Sequence, residues 1–280
     1  MTRWRRRNRM CRLYTFRSSH RRKIECELIA AQNSLLRQST GDAEGLVHPD
    51  GWGLGHYADL APFLTRQPVA AVNSEQFRWA AAEAFTTNAL AHVRSATIGI
   101  RRAENTHPFQ VDRWLFAHNG TVGAFPLIRD RVLAAMQPAF RDLPRGDTDS
   151  EHVFHLALSE LARRPERGIV HAVRTVVNAV TAWSRSADSA AELALNMVVT
   201  DGAESVVSRC GRSLWYVERE EVHACQVCAG ALHVEGTPPS NYRAVVFASE
   251  PITTDEPWTP VREGVLQRIG PTLELSEESL

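Results

Sequence analysis

The sequence predicts one α+β domain in which two central helices stand between strand-rich halves. Three observations carry this. The chain has 280 residues, 44% of them hydrophobic and 23% charged, an ordinary globular composition with enough length for a large core. Strand-like and helix-like segments alternate from Cys11 onward, and the last third turns strand-rich. No internal repeat or low-complexity linker divides the chain.

The elements follow in order. Residues 1–10, MTRWRRRNRM, carry five arginines and little that packs, so they read as a dispensable basic leader. CRLYTF reads as a first strand, residues 28–37 as a helix, and WGLGHYA as a strand whose glycines allow close backbone approach. Ser74 caps a helix through Phe85, with Glu75 in its first turn. NALAHVR and RWLFAH read as buried strands, and Pro126 opens the helix PLIRDRVLAAM. Asp147 or Thr148 caps the next helix, whose apolar stripe is Val153, Leu156, Leu158 and Leu161. Residues 168–184 form another helix. LALNMVVT, ESVVSRC, SLWYVE and RAVVFAS are strands separated by turn residues. The folded domain spans 11–270, and the acidic tail 271–280 is expected to be loose.

Bulk properties exclude several roles. A formal net charge of +0 gives no global field for nucleic acid or anionic membrane, and five leader arginines alone give only non-specific affinity. No segment approaches the ~18 apolar residues of a membrane helix. Five irregularly spaced cysteines are no disulfide framework and suit a reducing cytoplasm. Cys225 and Cys228 form one CxxC with no second pair at zinc-site spacing, so no metal and no cofactor are expected, although His223 and His233 are near.

Four places carry candidate chemistry. Cys11 follows Met10, and loss of the residues before it would leave a thiol beside a free α-amine. Such an amine has a pKa of roughly 7.7–8.0 and serves as a base near neutrality. The alternative is an ordinary buried cysteine. Arg94, in HVRSAT, offers a fork that suits a carboxylate, or it is a solvated strand-end arginine. Asn119-Gly120 reads as a hairpin turn, although the Asn119 amide and the Gly120 N–H also suit an oxyanion. In GDTDSE, one of Asp147 and Asp149 satisfies capping, which leaves the second carboxylate for a cation.

Taken together, a cysteine near the start, then HVRSAT, ENTHPF, AHNG and GDTDSE, in that order, resemble the class II glutamine amidotransferases, a family of N-terminal-nucleophile hydrolases. HPDGWGLGHY, MVVTDG and FASEPITTDEPWTPV resemble the stand-alone branch of that family, which includes the YafJ-like proteins and the γ-glutamyl hydrolase of ergothioneine synthesis. The likeness runs from Cys11 to about Gly264. It implies a four-layer αββα sandwich of two stacked antiparallel sheets with helices outside. It further implies Cys11 as nucleophile, Asn119 and Gly120 as oxyanion hole, Arg94 with Thr97 on the substrate carboxylate, and Asp149 on its ammonium. The expected substrate is glutamine or a γ-glutamyl small molecule. Because the family's cysteine is residue one, translation starts at Met10 or a leader is removed. His48, Asp50, Gly51 and Gly53 are expected to shape the pocket. Two other roles remain open: an ammonia-supplying subunit of a separate synthetase, and a non-catalytic glutamine-binding module.

Overall fold

The structure, a computed structural model, describes residues 11–228, 233 and 239–280; the basic leader lies outside the described residues. One sheet contains β1 (Arg12–Lys23), β2 (Gly51–Ala58), β3 (Ala61–Gln67), β4 (Phe85–Arg94), β9 (Trp215–Arg219), β10 (Ala244–Ala248) and β11 (Thr259–Pro260), in the order β11-β9-β10-β1-β4-β2-β3. The other contains β5 (Phe109–Val111), β6 (Trp114–Val122), β7 (Leu193–Thr200), β8 (Ser205–Arg209), β12 (Val265–Ile269) and β13 (Leu275–Ser279), in the order β13-β12-β8-β7-β6-β5. Every pairing is antiparallel.

Alternation along the strands builds the layers. Leu13, Leu90, Leu115, Ala117, Val198, Val245 and Phe247 point inward and form the core between the sheets. Their neighbours Tyr14, Phe16, Ala91, Val93 and Val246 point outward, where Leu35 of α1 (Leu35–Thr40) and Phe77 of α2 (Glu75–Glu83) cover them. On the far side, Phe116, Leu195, Met197 and Val199 pack under α3 (Phe125–Ala135), α5 (Asp149–Arg163) and α6 (Gly168–Ala187). A short α4 (Pro138–Arg141) links α3 to α5. The result is two stacked antiparallel sheets with helices outside, as expected.

Local signals act largely as read. The Ser74 side chain accepts from Phe77 N, and Thr148, not Asp147, accepts from Glu151 N at the start of α5. Pro126 lies in the first turn of α3. Two expectations are corrected. The helix expected over 28–37 is split into a π-turn, Cys26–Ala30, and α1, because Ser34 starts a new helix by accepting from Arg37 N. The end of the chain is not loose: Leu275–Ser279 pairs with β12 in full register, Val265 opposite Ser279 and Ile269 opposite Leu275. Acidic side chains do not prevent an edge strand, since one of its faces meets water.

Candidate active site

Strand parity brings three of the predicted residues together. Cys11, at the head of β1, shares the inward face with Leu13. Arg94 ends β4 on the same face as Leu90, and the register Arg12↔Val93 sets it beside Cys11. Asn119 shares the inward face of β6 with Leu115 and Ala117, so it reaches across from the second sheet. The Cys11 backbone nitrogen donates to Asn119 Oδ1 at 3.2 Å.

The Asn-Gly pair is therefore no turn. It lies inside β6, with Asn119 opposite Asn196 and Gly120 opposite Leu195. Glycine is required by proximity: a Cβ at position 120 would stand 1.9 Å from the Ala194 carbonyl oxygen. Asn119 Nδ2 donates to Ser249 Oγ at 3.1 Å, and an amide carries a second N–H beyond that one. Ser249 Oγ also accepts from Leu13 N at 3.0 Å, which ties the strand after Cys11 to the segment after β10.

The Cys11 thiol is cradled by the Ser95 backbone, donating to Ser95 O at 3.6 Å and accepting from Ser95 N at 3.4 Å. Burial pushes this thiol up, and the Ser95 N–H and the Arg94 cation only partly offset it. A thiol held in its protonated form needs a base to attack.

Arg94 is buried rather than a solvated strand end. Its fork donates to Ile98 O (2.8 Å), Gly99 O (3.2 Å) and Ile100 O (3.3 Å), holding the loop that follows its own strand. Burial lowers its pKa, while Cys11, Asp50, Asp147 and Asp149 act in the opposite direction. Asp149 is buried and accepts from Val122 N at 2.7 Å and Ser150 N at 2.8 Å, so α5 begins against the end of β6. Asp147 is the more exposed acid and accepts from Asn105 Nδ2. Thr97 Oγ1 lies 3.2 Å from Thr121 Oγ1, linking the Arg94 loop to β6.

Further residues complete the site. Arg12 Nη1 donates to the Cys11 carbonyl at 3.0 Å, its Nε to Glu250 at 2.9 Å, and its Nη2 meets Asp42 at 2.7 Å. His48 Nε2 lies 3.1 Å from Asp42 Oδ2. Asp50 Oδ2 accepts from Ala96 N at 2.7 Å and fixes the other side of the Ser95 loop. Ser95, Asp50 and Ser249 stand inside the resembling motifs; Arg12 is marked by nothing except its place after Cys11.

The CxxC pair has no second pair at zinc-site spacing in the sequence, yet in space it is not isolated. Cys26 comes from the π-turn and His233 from the β9–β10 connection. Their ligand atoms and those of Cys225 and Cys228 all lie within 4.8 Å of one another. Cys26 and Cys225 are 199 residues apart, so no local spacing shows that they meet.

Among the described residues, no helix is long and apolar enough to cross a membrane. The family model for class-II glutamine amidotransferases matches residues 10–277. The probable glutamine amidotransferase DUG3 of Saccharomyces cerevisiae is 26% identical over 90% of this chain and 79% of its own length. The gamma-glutamyl-hercynylcysteine sulfoxide hydrolase of Mycobacterium tuberculosis is 35% identical over 34% of this chain and 38% of its own length. The solved structure of a class-II domain protein from Silicibacter pomeroyi superposes with a TM-score of 0.64 at 24% identity. It covers 96% of this chain and 99% of that one, a likeness of fold. With a match over nearly all described residues, this chain is an enzyme of the amidotransferase and amidohydrolase type and belongs to the class-II glutamine amidotransferases.

Proposed function

We propose that the protein hydrolyses the side-chain amide of glutamine or of a γ-glutamyl compound through Cys11, freed as the first residue of the working enzyme. The observation that carries this reading is the Cys11 nitrogen held by Asn119 beside a thiol that burial keeps protonated. A free amine at that atom takes the thiol proton as sulfur attacks the amide carbon. The oxyanion so formed faces the Gly120 N–H and the second N–H of Asn119 Nδ2. The amine then returns the proton to the departing ammonia or amine, leaving a γ-glutamyl thioester. Water, deprotonated by the same amine, attacks the thioester and releases glutamate and the thiol.

Arg94 and Asp149 supply one buried cation and one buried anion, the pair that a zwitterionic substrate requires. Arg94 uses three backbone carbonyls but has five N–H donors, so its fork retains capacity for a carboxylate. The Mycobacterium relative's named activity supports a γ-glutamyl substrate class. Ammonia delivery to a separate synthetase uses the same first half-reaction.

The test joins N-terminal sequencing and intact mass with glutaminase kinetics. A chain beginning at Cys11 should hydrolyse glutamine or a γ-glutamyl amide, and Cys11→Ala should lose this while keeping its far-UV spectrum. A fully active protein with a peptide bond ahead of Cys11 refutes the mechanism, because the nitrogen is then an amide and accepts no proton.

A further inference from the structure

The connection between β9 and β10 runs over residues 220–243, with no helix or strand among its described residues. Connections of that length inside a domain are uncommon unless something holds them. Here it delivers Cys225, Cys228 and His233 to Cys26, immediately after β1. We propose that these four residues bind one Zn²⁺ ion in a closed Cys₃His site that fastens the connection to the first sheet.

The donor set favours it. Tetrahedral zinc takes sulfur at about 2.3 Å and nitrogen at about 2.0–2.1 Å, so neighbouring sulfurs stand roughly 3.7 Å apart. Cys26 Sγ and Cys225 Sγ are 3.3 Å apart, and no ligand atom is more than 4.8 Å from another. Shifts of an ångström or less complete the tetrahedron. The CxxC turn already directs a backbone N–H at sulfur, Val227 N to Cys225 Sγ at 3.4 Å, the contact that steadies a thiolate.

His233 is the second, independent observation. It is 1% exposed, and neither ring nitrogen has a hydrogen-bond partner among the described residues. A buried imidazole left so is destabilising unless something takes up its nitrogens. Its Nδ1 lies 3.8 Å from Glu27 Oε2, an oxygen that likewise has no partner. With Nε2 on the metal, Nδ1–H turns to Glu27, the carboxylate–histidine–zinc arrangement. Glu27 Oε1 is meanwhile held by Arg22 and by Arg219 Nη1.

Binding releases the three thiol protons to solvent and leaves three thiolates on a dication, a net charge of −1. The buried guanidiniums of Arg22 and Arg219 pair with Glu27, the carboxylate beside His233. A Cys26–Cys225 disulfide would instead use two sulfurs and leave Cys228 and the unpartnered His233 unexplained. Three soft sulfurs, one imidazole and no open position select zinc for a structural role rather than a catalytic one. Cys11 is at the opposite end of β1, whose twelve residues span roughly 35–40 Å.

The experiment is elemental analysis of protein purified without chelator or added metal, with cobalt substitution as a second readout. One zinc per chain is expected. Cobalt loaded in its place should give the strong visible bands of tetrahedral cobalt bound to thiolate. His233→Ala and Cys228→Ser should each lower bound zinc at least tenfold after dialysis against a mild chelator, while Cys210→Ser, half-buried on the second sheet, keeps it. If either ligand variant fails to fold, the wild-type stoichiometry and the cobalt bands decide. Zinc far below one per chain without those bands overturns the site. So does a Cys26–Cys225 disulfide found by mass mapping of freshly purified protein. None of these readouts depends on the activity proposed for Cys11.

Discussion

Replacing Arg12 by methionine tests how Cys11, the proposed nucleophile, is held. Methionine retains most of the apolar stem but removes four polar contacts: two to Glu250, one to Asp42, and the bond from Nη1 to the Cys11 carbonyl. The Arg12 and Asp42 side chains are 2% and 0% exposed, so water does not replace what is lost. Removing one partner of a buried ion pair costs about 3–5 kcal/mol, because the remaining charge stays desolvated. Asp42 keeps the backbone donors of Glu44 and Leu46, and Glu250 keeps Ala43 N, which favours the lower end, about 3 kcal/mol. For a chain of this length that is a fall of roughly 5 °C in Tm. The Cys11 carbonyl also loses its tether, and a misplacement of about 1 Å at a reacting group costs up to ~100-fold in kcat. Urea unfolding and glutaminase kinetics on the same preparation measure both. Arg21→Met, whose partner Asp59 is largely exposed, is the control and should change neither. A loss of stability below about 1 kcal/mol together with unchanged kcat would show that the Arg12 network neither holds the strand nor aims the nucleophile.

Gly120→Ala should lower kcat by about 100–1,000-fold, the usual effect of losing one oxyanion donor, because the new methyl meets the Ala194 carbonyl and forces β6 from β7; steady-state kinetics showing wild-type turnover would contradict it. Arg94→Ala should raise KM and also loosen residues 98–100, whose carbonyls it holds, whereas Asp149→Asn should raise KM with little change in loop protection; hydrogen exchange separates the two. Acid should destabilise the fold through His92, which burial holds at about 3 against an unfolded value near 6.5. Its contribution is whole above pH 6.5 and falls away as pH drops toward 3, since only the unfolded chain takes up the proton; at pH 5 the loss is about 2 kcal/mol. His92→Phe should flatten the stability profile between pH 6.5 and 5, and an unchanged slope in urea titrations across that range would count against it.

Much of the architecture is legible in the sequence because strand alternation and helix caps are local. Ser74, Thr148 and Pro126 act where they stand, and the inward set of Leu13, Leu90 and Leu115 follows from period two. The candidate site was legible in part, through residue order rather than through any single motif. Asn119-Gly120 has the composition of a turn, yet its place inside β6 is fixed by β7, some 75 residues further on. The Arg12 network joins residues 238 apart, and the sulfur cluster joins residues 199 apart. No window along the chain contains such pairs, because sheet topology alone makes them neighbours. Arg94 shows the converse: its motif stands out in the sequence, but not that its fork stitches its own loop.

The last paired strand has a protective consequence. Glu277 and Glu278 stand along the outer rim of the second sheet, paired with Arg262 and Arg174, and put charged side chains where an incoming strand from another molecule would dock. Cutting the chain before Leu275 would strip that rim and bare the backbone of β12, flanked by Val265, Leu266 and Ile269. Such a truncation leaves every residue of the candidate site in place, yet it offers a greasy, unguarded border to its own copies and should self-associate more readily than the whole chain.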